Sequence, residues 1–124
     1  MIKGIGVDII ELDRIKAAVE KYGANFLQKV FTEKEITYCQ RRKTLGIPEF
    51  AVRFAAKEAY SKAIGTGLRG LGRSIKGVGW KEVEVVNDSL GKPMLSINGS
   101  IDKNTHVSLS HSRDYAIATV YVEK

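Results

Sequence analysis

Pro48 and Gly65 bracket one long helical segment, and it carries the most informative run of residues in the chain. Proline is tolerated in a first helical turn, and glycine is favoured just past a last one. Within the segment runs Arg53-Phe54-Ala55-Ala56-Lys57-Glu58-Ala59-Tyr60-Ser61-Lys62-Ala63. At about 3.6 residues per turn, Arg53 and Lys57 form one row along the helix and Glu58 and Lys62 form the row beside it. Three cations and one carboxylate therefore share a patch that otherwise carries Ala, Phe, Ser and Tyr. A Glu four residues before a Lys is also an ordinary surface pair, worth about 0.2–0.5 kcal/mol. The alternative is a polyanion site with the carboxylate left over for a metal or a proton, and the rest of the chain decides between the two.

Ile2 to Ile10 has the alternation of a buried strand, with Ile5, Val7 and Ile9 on one face and Asp8 on the other. Leu12, Ile15, Val19 and Tyr22 recur at helical spacing up to a stop at Gly23, with Arg14 off that stripe and facing outward. Asn25 to Phe31 reads as a short helical piece. Thr32 and Glu35 have the spacing of a capping box, and the helix they open is expected to run to about Arg42, beside the basic cluster Arg41-Arg42-Lys43. After Gly65 a stretch dense in glycine reaches Gly79 and is expected to be a mobile loop. Lys81 to Val86 and Pro93 to Asn98 read as strands around a turn at Asn87 to Lys92, and His106 to Ser112 and Ala116 to Val122 as a hairpin. The order is one strand, about three helices, then four strands. Strands do not alternate with helices, so the fold class is α+β with a largely antiparallel sheet, in a single domain over 1–124.

Composition narrows the function classes. The 124 residues are 44% hydrophobic, enough for a packed core. With one cysteine, Cys39, an intrachain disulfide is impossible, and two histidines do not complete a zinc site. Cys39 is expected to be a small buried hydrophobe. No targeting segment is visible, since Asp8 interrupts the N-terminal apolar run, and nothing approaches a membrane span of about 20 residues. A cytoplasmic protein without membrane contact is expected. The net charge of +6 calls for an anionic partner without naming it.

Two motifs mislead. Gly65-Thr66-Gly67-Leu68-Arg69-Gly70 spells G-x-G-x-x-G but follows a helix, whereas the dinucleotide fingerprint follows a strand. Ser110-His111-Ser112 lacks the glycines of a nucleophile elbow. His106 and His111 are an odd number apart and project from opposite strand faces, with His106 on the face of Ser108 and Ser110. The scattered aromatics do not form a nucleic-acid reading surface.

Asp8 at the end of an apolar strand is costly unless paired or metal-bound. A salt bridge to one of the many cations accounts for it as well as a metal does. With Glu58 it supplies two carboxylates, too few for a calcium cage but suited to Mg²⁺, which keeps waters and takes further oxygens from a phosphate substrate.

Three separated segments then carry a resemblance. Gly4-Ile5-Gly6-Val7-Asp8-Ile9, the run from Arg53 to Gly67, and His106-Val107-Ser108-Leu109-Ser110-His111-Ser112 resemble, in that order, the motifs of the holo-acyl-carrier-protein synthases, the small 4′-phosphopantetheinyl transferases. The likeness spans essentially the whole chain. It implies transfer of phosphopantetheine from coenzyme A to a serine of apo acyl carrier protein in fatty acid biosynthesis, with release of adenosine 3′,5′-bisphosphate. It implies a homotrimer with active sites at the subunit interfaces. It implies Asp8 and Glu58 as Mg²⁺ ligands and Lys62 as the catalytic lysine, so that Asp8, Glu58 and Lys62 are the catalytic set, with Glu58 read as taking the serine proton directly or through a metal-bound water. Coenzyme A contacts are implied at Arg53, Lys57, Lys62, Gly65 and His106, with Arg42, Lys43, Lys92 and Pro93 near the nucleotide, and Arg14 is implied to dock the carrier protein. Two departures stand out: Arg69 to Gly79 is long and rich in glycine, and Asn98 to Asn104 is short where the family leads one to expect a helix. A non-enzymatic basic module for nucleic acid or an acidic protein is the competing class.

Overall fold

The computed structural model describes residues 1–68 and 77–124. Strand β1 (Ile2–Glu11) leads into helices α1 (Leu12–Tyr22), α2 (Ala24–Val30), α3 (Glu33–Cys39) and α4 (Ile47–Ile64). A single 3-10 turn, Trp80–Glu82, then precedes strands β2 (Val83–Asn87), β3 (Pro93–Ile97), β4 (Ser100–Ile101), β5 (Thr105–His111) and β6 (Tyr115–Glu123). The class is α+β, as expected. The antiparallel strands form two three-stranded sheets instead of one, in the orders β1-β6-β5 and β2-β3-β4. The two-residue strand β4 occupies the short stretch after Asn98, and α2 is a separate fourth helix, so the expectation of about three helices is one short. Most of the stretch expected to be a mobile glycine-rich loop lies outside the described residues.

Helix α4 is the centre of the molecule. It packs on β1, β6 and β5 of the first sheet, on β2 of the second, and on α1 and α3. Its Phe50, Ala51, Ala55, Ala56 and Ala59 are buried in one core with Ile10, Ile15, Val30, Phe31, Val83, Leu95, Ala118 and Val120. Pro48 lies in its first turn, and Gly65 ends it at φ +81°, in the left-handed region that glycine enters without strain.

The expected burial of β1 is inverted. Ile5, Val7 and Ile9 are 61%, 52% and 61% exposed, while Gly4, Gly6, Asp8 and Ile10 face α4. The reason is proximity. A Cβ on Gly4 would stand 2.0 Å from the Ala63 carbonyl oxygen, and one on Gly6 would stand 2.0 Å from that of Ala59. Strand and helix are in backbone contact there, so only glycine fits. The β1–β6–β5 register pairs Ile5 with Tyr121 and His106, Val7 with Thr119 and Ser108, and Ile9 with Ile117 and Ser110. The outward face of this sheet thus grades from apolar on β1 to polar on β5.

Helix α3 also ends earlier than expected, at Cys39, with Gln40 as its cap and Arg41-Arg42-Lys43 beyond it. The capping box is present: Thr32 Oγ1 accepts from the Glu35 amide, and Glu35 Oε1 accepts from the Thr32 amide at 3.0 Å.

Candidate functional site

Because side chains along a strand alternate between its faces, the contact of Gly4 and Gly6 with α4 sends Asp8 toward the same helix. There it meets Glu58 and Lys62. Asp8, Glu58, Lys62 and Arg14 line one cleft of about 260 Å³, together with Ile9, Ile10 and Phe54. Lys62 Nζ donates to Asp8 Oδ1 at 3.2 Å and to the Val7 carbonyl at 3.0 Å. The Asp8 side chain is 16% exposed and that of Lys62 52%. Among the described residues, two carboxylates and two cations line this cleft.

Lys62 also borders a shallow groove on the outward face with Ile5, Gly6, Val7, Thr119 and Tyr121. Among the described residues strand β1 is the edge of its sheet, and Lys62 borders both the cleft and this groove. Phe54 escaped the sequence reading, although 54, 58 and 62 share the spacing of one helical row. Its ring packs 4.8 Å from that of Trp80, which fixes one wall of the cleft.

The other row of the helix turns away from this cleft. Lys57 is fully buried, and its ammonium donates to Glu35 Oε1 at 2.8 Å, to the Trp80 carbonyl at 2.8 Å and to the Val83 carbonyl. All three of its protons are committed to protein acceptors. Burial pushes its pKa below the ordinary lysine value, against the opposing pull of the Glu35 carboxylate. The second Glu35 oxygen accepts from the Val85 amide at 2.9 Å, so the pair ties α3, α4 and β2 together.

Arg53 is also interior, at 3% exposure. Its Nη2 donates to Asn87 Oδ1 at 2.7 Å, and its guanidinium lies 4.4 Å from the Tyr38 ring centre, a ring that Arg41 approaches at 3.8 Å. Asn87 in turn donates to the Gly91 carbonyl, so Arg53 braces the turn that carries Lys92 and Pro93. Asp88 completes that turn by accepting from the amides of Leu90 and Lys92.

Lys92, Pro93 and His106 come together in a second cleft of about 280 Å³, with Met94, Ile101, Asp102, Lys103 and Thr105 among its walls. His106 Nε2 lies 3.1 Å from Glu123 Oε2. Lys43 and Gly65 line neither cleft. Lys43 is exposed, with φ of +57°, beyond the end of α3. Of the residues expected to bind coenzyme A, Lys62 therefore lies in the first cleft, Lys92, Pro93 and His106 in the second, and Arg53, Lys57, Lys43 and Gly65 in neither.

The donor set of the first cleft fits a hard divalent cation. Among the described residues no group of three or more His, Cys, Asp or Glu is placed to hold a metal, so zinc and a calcium cage are ill served. Two carboxylates in a polar cleft suit an ion that retains water and completes its shell from a substrate, and Asp8 already accepts a cation, the Lys62 ammonium. No helix among the described residues is long and apolar enough to cross a membrane.

Comparison with known proteins adds the following. Residues 4–120 match the model of the 4′-phosphopantetheinyl transferase superfamily. The chain is 46% identical to the holo-[acyl-carrier-protein] synthase of Halalkalibacterium halodurans, across 100% of this chain and 98% of that protein. Its identity to the Ruminiclostridium cellulolyticum synthase is also 46%, across 92% of this chain and 87% of that one. The crystal structure of the Bacillus anthracis synthase in complex with coenzyme A (3′,5′-ADP) superposes with a TM-score of 0.82 at 40% identity, covering 100% of this chain and 98% of that one. The Neisseria meningitidis synthase superposes with a TM-score of 0.83 at 32% identity, each chain covered over 100% of its length.

Proposed function

This chain belongs to the holo-[acyl-carrier-protein] synthases of the 4′-phosphopantetheinyl transferase superfamily, and on that premise we propose that it moves the 4′-phosphopantetheine arm of coenzyme A onto a serine of an apo acyl carrier protein, in the service of fatty acid biosynthesis. The observation that carries this reading is the convergence of Asp8, Glu58, Lys62 and Arg14 on one cleft. Two carboxylates would repel a diphosphate unless a divalent cation lay between them, and the oxygen donors favour Mg²⁺. Asp8 and Glu58 would hold it, and when bound it supplies charge neutralisation at the diphosphate.

The residues of the chain do the rest. The serine oxygen attacks the phosphorus that bears the pantetheine arm. The bond from that phosphorus to the bridging oxygen breaks, and adenosine 3′,5′-bisphosphate leaves with the electron pair. Glu58 accepts the serine proton. Lys62 leaves Asp8 for the departing phosphate and stabilises the charge that grows there. Lys92, Pro93 and His106 receive the nucleotide end, with Arg53 holding their turn in place and the exposed Arg42 and Lys43 nearby. Gly65 ends α4 with no side chain in the way of the substrate. Arg14, exposed at the rim, meets the acidic carrier protein and speeds encounter in a salt-dependent way.

The two clefts of one chain suggest how a complete site is built. The exposed stripe of Ile5, Val7, Ile9, Ile117 and Tyr121 would be costly in water on a stable monomer. A homotrimer that covers it brings the Asp8 cleft of one subunit toward the His106 cleft of the next, and this is the assembly we assign. A cytoplasmic setting fits the substrates, and the unit is taken as one domain over 1–124.

The test is a mass measurement. Incubated with apo acyl carrier protein, coenzyme A and Mg²⁺, the protein should increase the carrier's mass by one phosphopantetheine. A carrier of unchanged mass, with salt-sensitive binding of oligonucleotides instead, would favour a non-enzymatic basic module.

A further inference from the structure

Lys62 holds two places at once. Its ammonium sits on Asp8 Oδ1 and the Val7 carbonyl, yet its side chain is 52% exposed and also borders the groove over Ile5, Gly6, Val7, Thr119 and Tyr121. Asp8, by contrast, belongs to a strand pinned between β6 and α4, with glycine-tight packing two and four residues before it. Any cation that approaches Asp8 must therefore displace the lysine, not the carboxylate. A flexible four-carbon stem rooted one helical turn past Glu58 can make that move, and the neighbouring groove gives it somewhere to go.

We propose that Lys62 is a resident counter-ion that holds the cation position at Asp8 and yields it only when a divalent cation and the diphosphate of coenzyme A are present together. The inference rests on the metal and coenzyme A reading given above. An ammonium and a divalent ion cannot share one carboxylate oxygen without strong repulsion, so metal entry alone strands the lysine charge beside the metal. A diphosphate removes that penalty by giving Lys62 a new anionic partner. Metal and coenzyme A then reinforce each other's binding, and the coupling is reciprocal. The cleft then does not retain a divalent ion without substrate.

The experiment is a Mn²⁺ titration followed by the electron paramagnetic resonance signal of the free ion. It compares wild type, Lys62→Met, Asp8→Asn, and Lys16→Met, which removes the same charge from an exposed position on α1, with and without coenzyme A. Lys62→Met should bind Mn²⁺ alone at least about fivefold more tightly than wild type or Lys16→Met, and coenzyme A should raise the Mn²⁺ affinity of wild type more than that of Lys62→Met. Equal Mn²⁺ affinities for wild type and Lys62→Met, with binding lost in Asp8→Asn, would overturn the counter-ion role and leave the metal site standing. Failure of every variant to bind Mn²⁺ with coenzyme A present would overturn both.

Discussion

Gly6 and Ala59 are in backbone contact: a side-chain carbon at Gly6 would stand 2.0 Å from the Ala59 carbonyl oxygen. The obstacle is helix backbone, which cannot rotate aside. Gly6→Ala should force β1 and α4 apart, with a loss of stability of about 1–3 kcal/mol or more, as for other overpacked interiors. Urea unfolding measures it. Because the same contact aims Asp8 at Glu58, turnover per folded molecule should fall as well.

Asp8→Asn and Glu58→Gln keep the shape of the cleft while removing one negative charge each. Each should abolish carrier modification and weaken Mn²⁺ binding in the presence of coenzyme A. Circular dichroism should show the fold unchanged, since both side chains line a cleft and each substitution keeps its shape. A fully active Glu58→Gln enzyme would remove Glu58 as proton acceptor.

Val7 is 52% exposed in the single chain, at the centre of the apolar stripe. Val7→Lys should leave the chain folded and dissociate the proposed trimer, which sedimentation velocity detects as a fall to one third of the mass. Activity should fall with it, because the Asp8 and His106 clefts then belong to separate molecules. An undiminished assembly would place the interface elsewhere.

Lys57 and Glu35 form an ion pair at 2.8 Å with both side chains at 0% exposure. Lys57→Met leaves a buried carboxylate without its counter-charge and should cost about 3–5 kcal/mol. Lys57→Met with Glu35→Gln removes both charges and should cost less than the two single changes summed, as read from a double-mutant cycle in urea.

Cys39 is 1% exposed, and burial pushes its thiol up to about 12. The native protein should resist iodoacetamide at pH 8, whereas the urea-unfolded chain should react completely. The sign for stability follows. The unfolded thiol loses its proton at its ordinary value near 8.5, while the folded one keeps it to about 12, so stability falls as pH rises between the two, by about 1.4 kcal/mol per pH unit. Cys39→Ala should flatten that part of the alkaline stability profile relative to wild type.

Much of the architecture is legible one residue at a time. Thr32 and Glu35 announce the start of α3, Pro48 and Gly65 bracket α4, and the alternating apolar runs mark the strands, because each of these signals depends on neighbours a few residues away. The row of Glu58 and Lys62 follows from helical spacing alone, and the same spacing contains Phe54. Which side of an element meets the rest of the chain does not follow. Alternation along β1 says that it has two faces. Only the packing of Gly4 and Gly6 on the Ala63 and Ala59 carbonyls, more than fifty residues away, turns Asp8 inward and leaves Ile5, Val7 and Ile9 for solvent or for another subunit. The two charged rows of α4 look equivalent as letters. The tertiary structure separates them, sending Lys57 to Glu35 in the interior and Lys62 to Asp8 at the cleft, because a buried ammonium is stable only where three acceptors converge on it. Spacing along the chain determined the elements and the residue types available for chemistry. Contacts between distant segments decided which of those residues meet.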